Sequence, residues 1–304
     1  MHWNGKKLKH LLIGEFTLKR LLISIAEIYL CLLVYAFFFS NNIIFYPGPP
    51  SYSDGSGIIK LNISATAKIS AAYLPAKNAK FIILYSHGNA EDIGDLKPLM
   101  ELFRDHGFST FSYDYEGYGT STGRPSEKNV YRDIEAAYNY LTTDLKIDPD
   151  RIILLGRSIG SGAAVELALK HRVAGLVIES GCVSAFRIRT HIPLVPFDKF
   201  NNLAKIKNIH CPILVMHGKN DKIIPFWHGQ ALFNKANPPK MHSWVDGASH
   251  NDFFWVAGDD YWKTIEEFAS MIIAHRAGIL STKGLNKLSR KTVRFLYGEH
   301  LVLT

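Results

Sequence analysis

The sequence predicts an α/β fold, a mostly parallel central sheet with helices on both faces. Two observations carry this reading. Short, nearly continuous apolar runs end in Gly-, Asn- or Asp-rich loops, and longer helical stretches separate them. The composition is globular: 304 residues, 47% hydrophobic and 20% charged, which excludes wholesale disorder, a collagen repeat or a coiled coil. Three cysteines and no CxxC pair exclude a disulfide scaffold and a cysteine-rich zinc module.

The strands read in order as Lys80–Ser86, Phe108–Tyr113, Arg151–Leu155, Val173–Glu179, Cys211–His217 and Met241–Val245. Each is a short apolar run bounded by loop signals. The helices read as Asp92–His106, Glu127–Leu145, Ile159–His171 and Asp259–His275, with Ser126 as a capping residue before the second. Residues 44–275 then form the α/β body. Gly181–Lys205 interrupts the alternation and reads either as a small lid beside the site or as a packed connecting loop. In parallel sheets, reactive loops gather at the C-terminal strand ends.

Both ends are basic. Residues 1–20 carry five basic side chains against Glu15, a net +4, and residues 276–304 carry six against Glu299, a net +5. The whole chain is +8, so the intervening body is near neutral at −1. That distribution fits anionic lipid headgroups and not nucleic acid. Leu21–Phe39 holds twelve Leu, Ile, Val or Phe residues in 19. Their insertion free energy, about −4 to −7 kcal/mol, outweighs the ~3 kcal/mol cost of a central Glu27. At ~1.5 Å per residue the run spans about 28 Å. Residues 21–40 are therefore expected to be a retained single-pass membrane anchor. By the positive-inside rule the basic segment 1–20 is expected in the cytosol. The 276–304 tail is expected to be a solvated end. Asn62-Ile-Ser64 is a glycosylation sequon, meaningful only for a luminal body.

The chemistry-bearing motif is Gly156-Arg157-Ser158-Ile159-Gly160, placed where a strand turns sharply into a helix. Such a turn needs small flanking residues and projects the serine hydroxyl above the sheet. Serine needs a base, because its hydroxyl is a weak nucleophile at neutral pH. His250 lies in the loop after the last strand and suits that role. His171 reads as a helix-ending residue that caps carbonyls, and His87 is a structural candidate. Asp221, after the strand ending at His217, is the expected third member, and the order Ser158, Asp221, His250 is the usual one for this arrangement. Glu179, Asp246 and Asp252 are rivals, the last two more suited to shaping the histidine loop. Oxyanion donors are expected at the N–H of Ile159 and in the His87–Ala90 loop, at Asn89 with Ala90 as the fallback. Asp114 and Tyr118 read as loop architecture.

Ser86-His-Gly-Asn-Ala90, Asp114-Tyr-Glu-Gly-Tyr-Gly-Thr120, Ser121-x-Gly123-Arg-Pro-Ser126, Gly156-Arg-Ser-Ile-Gly160, His217-Gly-Lys-Asn-Asp221 and Gly247-Ala-Ser-His-Asn-Asp252 occur in that order. As a set they resemble the membrane-tethered α/β-hydrolases of the bud-emergence type and their relatives, the eukaryotic protein depalmitoylases, over about residues 44–273. The resemblance implies the α/β-hydrolase fold and a Ser158–His250–Asp221 triad. It implies action on acyl esters or thioesters, of lipids or lipidated proteins, with no metal or organic cofactor. One departure stands out: the depalmitoylases use a cysteine-rich, lipidated N-terminus, where this chain has an apolar run with the single Cys31. Depalmitoylation is therefore a secondary reading. An aminopeptidase-like hydrolase and a non-catalytic scaffold on the same fold are the competing ones.

Overall fold

The structure is a computed structural model that describes residues 17–278 and 301–302. It divides after Ile44 into two compact units. The first holds one helix, α1 (Leu18–Ile44), 27 residues long. Its most apolar 18-residue window has a mean hydropathy of 2.3 and none of it is buried. By length and composition it can cross a membrane. It extends the expected segment at both ends.

The second unit is built on one sheet, in the order β1 (Ile58–Asn62), β2 (Lys68–Leu74), β4 (Ser109–Tyr113), β3 (Ile82–Ser86), β5 (Ile152–Arg157), β6 (Gly175–Glu179), β7 (Ile213–Gly218) and β8 (Lys240–Val245). The two-residue strand β9 (Leu301–Val302) pairs antiparallel with β8. From β4 to β8 every neighbouring pair is parallel, so the six strands read from the sequence form one continuous parallel block. The first two strands, β1 and β2, add antiparallel to its β4 edge. The sequence reading did not include them, because Ile-Ile-Lys-Leu-Asn and Lys-Ile-Ser-Ala-Ala-Tyr-Leu are short, mixed segments without the solid apolar run of a doubly covered strand.

The helices are α2 (Ile93–Asp105), α3 (Glu127–Asn139), α4 (Gly160–Lys170), α5 (Arg187–Thr190), α6 (Asn202–Ile206), α7 (Trp227–Lys235), α8 (Phe253–Ala257) and α9 (Asp259–Arg276). Asp92 caps α2 by accepting from the Gly94 and Asp95 N–H groups, and Asp95 reciprocates to the Asp92 N–H. Ser126 caps α3 as expected, accepting from the Asn129 N–H. The expected helix to Leu145 loses its α register at Tyr140 and finishes as a π turn through Asp144. There Thr142 and Thr143 hydroxyls donate back to the Tyr138 and Asn139 carbonyls, the competition that bends helices at threonine. The sheet's two faces are covered separately. Ile83, Tyr85, Ile153, Leu155 and Val177 on one face pack with Leu96, Met100 and Phe103 of α2 and with Tyr261, Ile265 and Phe268 of α9. On the other side α4 packs against β5 and β6, flanked by α3 and α6.

Within residues 181–205, residues 191–194 are exposed while Phe200 and Asn202 are buried. Cys31, Cys182 and Cys211 are all free thiols. Asn62 is the exposed last residue of β1. Most of the 276–304 tail lies outside the described residues.

The approach of α4 to the sheet is as close as backbone allows. A Cβ on Gly160 would stand 2.5 Å from the His87 carbonyl oxygen and nearer still to that of Ser86. Both atoms are main chain and cannot yield without moving β3. Gly160→Ala is expected to lower stability by about 2–3 kcal/mol, the scale of overpacking a tight core, read as a shift in the midpoint of chemical denaturation.

Candidate active site

Ser158 sits between the end of β5 and the start of α4 with a φ of +54°. Left-handed backbone is uncommon for a residue with a side chain and is held only by over-determined surroundings. Those surroundings are present. The Ser158 N–H donates to the Glu179 carbonyl at 2.8 Å, and the Ser158 carbonyl accepts from the Ser161 hydroxyl at 2.6 Å. A Cβ at Gly156 would lie 2.6 Å from the Gly160 carbonyl oxygen and from Ser161 Cα. The small residues read from the sequence are thus required by the turn itself.

His250 lies in the connection after β8. Its Nε2 is 2.9 Å from Ser158 Oγ and its Nδ1 is 2.7 Å from Asp221 Oδ2. All three residues are buried. Asp221 follows β7, and its other oxygen accepts from the Ile223 and Ile224 N–H groups at 2.9 and 2.8 Å. Burial alone would raise its carboxyl pKa. Hydrogen bonds from His217 and His250, the His250 charge and the Ile224 N–H outweigh burial and hold it well below the usual carboxylate range. His217 sits 3.4 Å from Asp221 Oδ2, and its Nε2 is 2.8 Å from the Ile224 carbonyl. A second buried histidine therefore lies against the same carboxylate oxygen as His250.

The expected rivals occupy other places. Asp252 accepts from the Ser249 N–H at 2.6 Å, and Asp246 pairs with Lys219 at 2.8 Å, so both shape the His250 loop as expected. Asp114 accepts from the Ile93 N–H and the Tyr52 hydroxyl. Burial raises its carboxyl to about 6, opposed by His87 and those hydrogen bonds. His87 is fully buried, its Nδ1 2.7 Å from the Gly88 carbonyl and its ring packed on Tyr115. His171, expected to cap carbonyls, instead pairs with Glu135 at 2.7 Å, since α3 runs beside the end of α4. His228 lies in the first turn of α7, where its Nδ1 accepts from the Val183 N–H. Burial, then the neighbouring His217, lowers it to about 3.

Ile159 is the N-cap of α4, so its N–H opens the helix next to Ser158. Asn89 and Ala90 lie in the connection after β3. The Asn89 carboxamide oxygen accepts from the Tyr46 N–H at 2.8 Å, the Tyr118 hydroxyl at 2.6 Å and the Ala90 N–H at 3.2 Å. The Ala90 N–H is thereby drawn toward a side chain, and Tyr118 serves as the expected loop architecture.

One group was not legible as a site. Arg157, the variable residue before Ser158, donates to both oxygens of Glu91 at 2.8 and 2.7 Å. Its Nε is 3.5 Å from Glu179 Oε1 and its Nη2 is 3.5 Å from the His250 carbonyl. Glu91 also accepts from the Gly88 N–H at 2.5 Å, and Tyr261 donates to Glu179 at 2.9 Å. A single guanidinium thus joins the β3, β5, β6 and β8 connections. Burial alone would lower the pKa of Arg157, but Glu91, Tyr85 and Glu179 raise it. Removing one partner of a buried pair strands the other, so Arg157→Ala should destabilise by about 3 kcal/mol. Glu91→Gln added to Arg157→Ala should cost markedly less than the sum of the two singles, as a double-mutant cycle in denaturant would measure.

Comparison with known proteins bears on the fold. The family model described as serine aminopeptidase, S33, matches residues 77–205. The human alpha/beta hydrolase domain-containing protein 17B is 42% identical over 182 residues, covering 58% of this chain and 62% of that protein. Alpha/beta hydrolase domain-containing protein aho-3 of Caenorhabditis elegans is 39% identical over 181 residues, covering 59% of this chain and 54% of that protein. The chain thus spans about three-fifths of the length of such relatives. A Pyrococcus furiosus esterase superposes with a TM-score of 0.62 at 17% identity, over 73% of this chain and 98% of its own. Est1E of Butyrivibrio proteoclasticus, with ferulic acid bound, gives 0.59 at 17% identity, over 71% of this chain and 99% of its own. The sheet order and these structural likenesses together give the chain the α/β-hydrolase fold.

Proposed function

We propose that the protein is a membrane-anchored serine hydrolase that cleaves acyl ester or thioester bonds through an acyl-enzyme intermediate. The observation that carries this reading is the unbroken chain of contacts from Ser158 Oγ through His250 to Asp221, at 2.9 and 2.7 Å. Neutral His250 accepts the Ser158 proton at Nε2 as Oγ adds to the acyl carbon. The oxyanion that forms is met by the Ile159 N–H, with the Asn89 N–H as its partner donor. His250 then gives its proton to the departing alcohol or thiol, leaving the acyl group on Ser158. Water, deprotonated by His250, adds to that ester and releases the carboxylic acid as Oγ recovers its proton. Asp221 holds the Nδ1–H tautomer and stabilises the imidazolium without itself taking a proton. Its depressed pKa suits that duty. None of these steps needs a metal or an organic cofactor.

The apolar helix α1 supports the anchor and therefore a substrate whose acyl group is lipidic. The resemblance to protein depalmitoylases extends the reading to palmitoyl thioesters on proteins. The matched serine aminopeptidase family supports a second reading, amide hydrolysis by the same groups. It requires a peptide anilide to turn over faster than the matched ester. Positively charged N-terminal residues support a cytosolic N-terminus with the single-pass helix leading out of it.

A fluorophosphonate probe should label the wild-type chain and not Ser158→Ala; equal labelling of both would sink the proposal. Asp221→Asn should keep its fold yet lose about 10⁴-fold in kcat on an aryl ester, because the imidazole adopts the wrong tautomer. A p-nitrophenyl ester series of rising chain length would read the acyl preference.

A further inference from the structure

Large apolar side chains are exposed on the body in an uneven way. Among the described residues from Phe45 onward, the exposed large hydrophobics are Tyr46, Ile192, Leu194, Ile223, Trp255, Val256 and Ile273. Ile192 and Leu194 belong to the connection after β6, Ile223 to that after β7, and Trp255 and Val256 to that after β8. Tyr46 is bonded through its N–H to Asn89, in the connection after β3. Ile223, Trp255 and Val256 thus follow closely on Asp221 and His250, Tyr46 is tied to the Asn89 loop, and His191, beside Ile192, packs on Trp227 at the start of the helix after Asp221. Ile273 lies in the last turn of α9, farther along the chain from these loops. Scattered single hydrophobics are ordinary on a surface, but clustering at one edge is not. Trp255 is 77% exposed, although its neighbours Phe253 and Phe254 on the same helix pack into the core.

Two further observations say what covers this edge. Arg189 and Lys222, both exposed, lie on the β6 and β7 connections. Aromatic and aliphatic tips interleaved with exposed cations are the composition of a surface that dips into lipid headgroups. Tyr46, the second residue of the body, is itself bonded at this edge to Asn89.

Resting on the anchored-hydrolase reading, we infer that this apolar rim docks on a bilayer bearing anionic headgroups, so that Ser158 opens onto the membrane surface and draws acyl chains directly from it. Docking of this kind grows with apolar area and with headgroup charge.

The test uses the full chain reconstituted in vesicles of phosphatidylcholine and phosphatidylserine whose phosphatidylcholine carries brominated acyl chains. Tryptophan emission should be quenched, and Trp255→Phe should remove a large part of the quenched signal. An equal quenched signal in both proteins would overturn the inference. Trp255→Asp should slow hydrolysis of a long-chain acyl ester dissolved in the vesicles by about tenfold, the scale of losing one large side chain's burial. It should leave a water-soluble short-chain ester unaffected, and Ile273→Asp should change neither rate. Equal loss on both esters, or no loss on the embedded one, would count against the rim. If neither ester turns over while Trp255 is still quenched, the hydrolase reading fails and the docking stands.

Discussion

The contact that orders the rest of the molecule is the seating of α4 against the C-terminal ends of β3 and β5. At Gly156 and Gly160 there is no room for even one methyl group between helix and sheet backbone. With the helix that close, the chain has two residues in which to turn from strand to helix. One of them, Ser158, is forced to positive φ. The strain is held by a backbone hydrogen bond to Glu179 and by the Ser161 hydroxyl. Its consequence is chemical: the serine side chain leaves the packed layer, and the positive N-terminal end of α4 lies beside it.

A turn of that kind places one side chain but does not place its partners, which arrive on separate connections. The Arg157 guanidinium fixes them relative to one another. It holds Glu91, which holds the Gly88 N–H of the β3 loop. It faces Glu179, which takes the Tyr261 hydroxyl, and it reaches the His250 carbonyl. Glu179 is raised above the usual carboxylate range, with burial as the largest cause and Arg157 opposing it. Glu91, the second carboxylate on the same cation, adds a smaller push in the same direction as burial. The electrostatics at Asp221 go the other way. There, hydrogen-bond donors outnumber what burial removes and the carboxylate stays ionised. The two acids, at the end of β6 and after β7, are shifted in opposite directions, and Asp221 is the one hydrogen-bonded to the imidazole.

The fold and the central residues were legible because they depend on local signals. β3 through β8 announced themselves as solid apolar runs, and Gly156–Gly160 announced the turn by the size of its residues. Asp221 and His250 could be chosen by position, each in a connection after a strand. β1 and β2 were not legible. At the sheet's edge, strands such as Ile58–Asn62 carry Lys60 and Asn62 outward and lack the apolar density that marks a covered strand. The Arg157–Glu91–Glu179 group was not legible either, since its members lie on three connections and nothing in their spacing says that they meet. His171 shows the same limit in miniature: its helix-end position fitted a cap, but α3 brought Glu135 within reach.

Parallel α/β topology gives a reason for chemistry and exposed apolar surface to share one edge. Six strands end on that side, each with a connection that sequence can vary without disturbing the core. On the proposed reading, the substrate adds a further constraint. Drawing an acyl chain out of a bilayer into water costs about 0.8 kcal/mol per methylene. A long chain could not be presented through solvent at a useful concentration. A site whose rim already sits in the headgroup layer avoids that passage, because only the ester or thioester carbon has to reach Ser158. The anchor alone would not achieve this, since a tethered body can still turn its site to water. The side chains at the mouth of the site decide which way it faces.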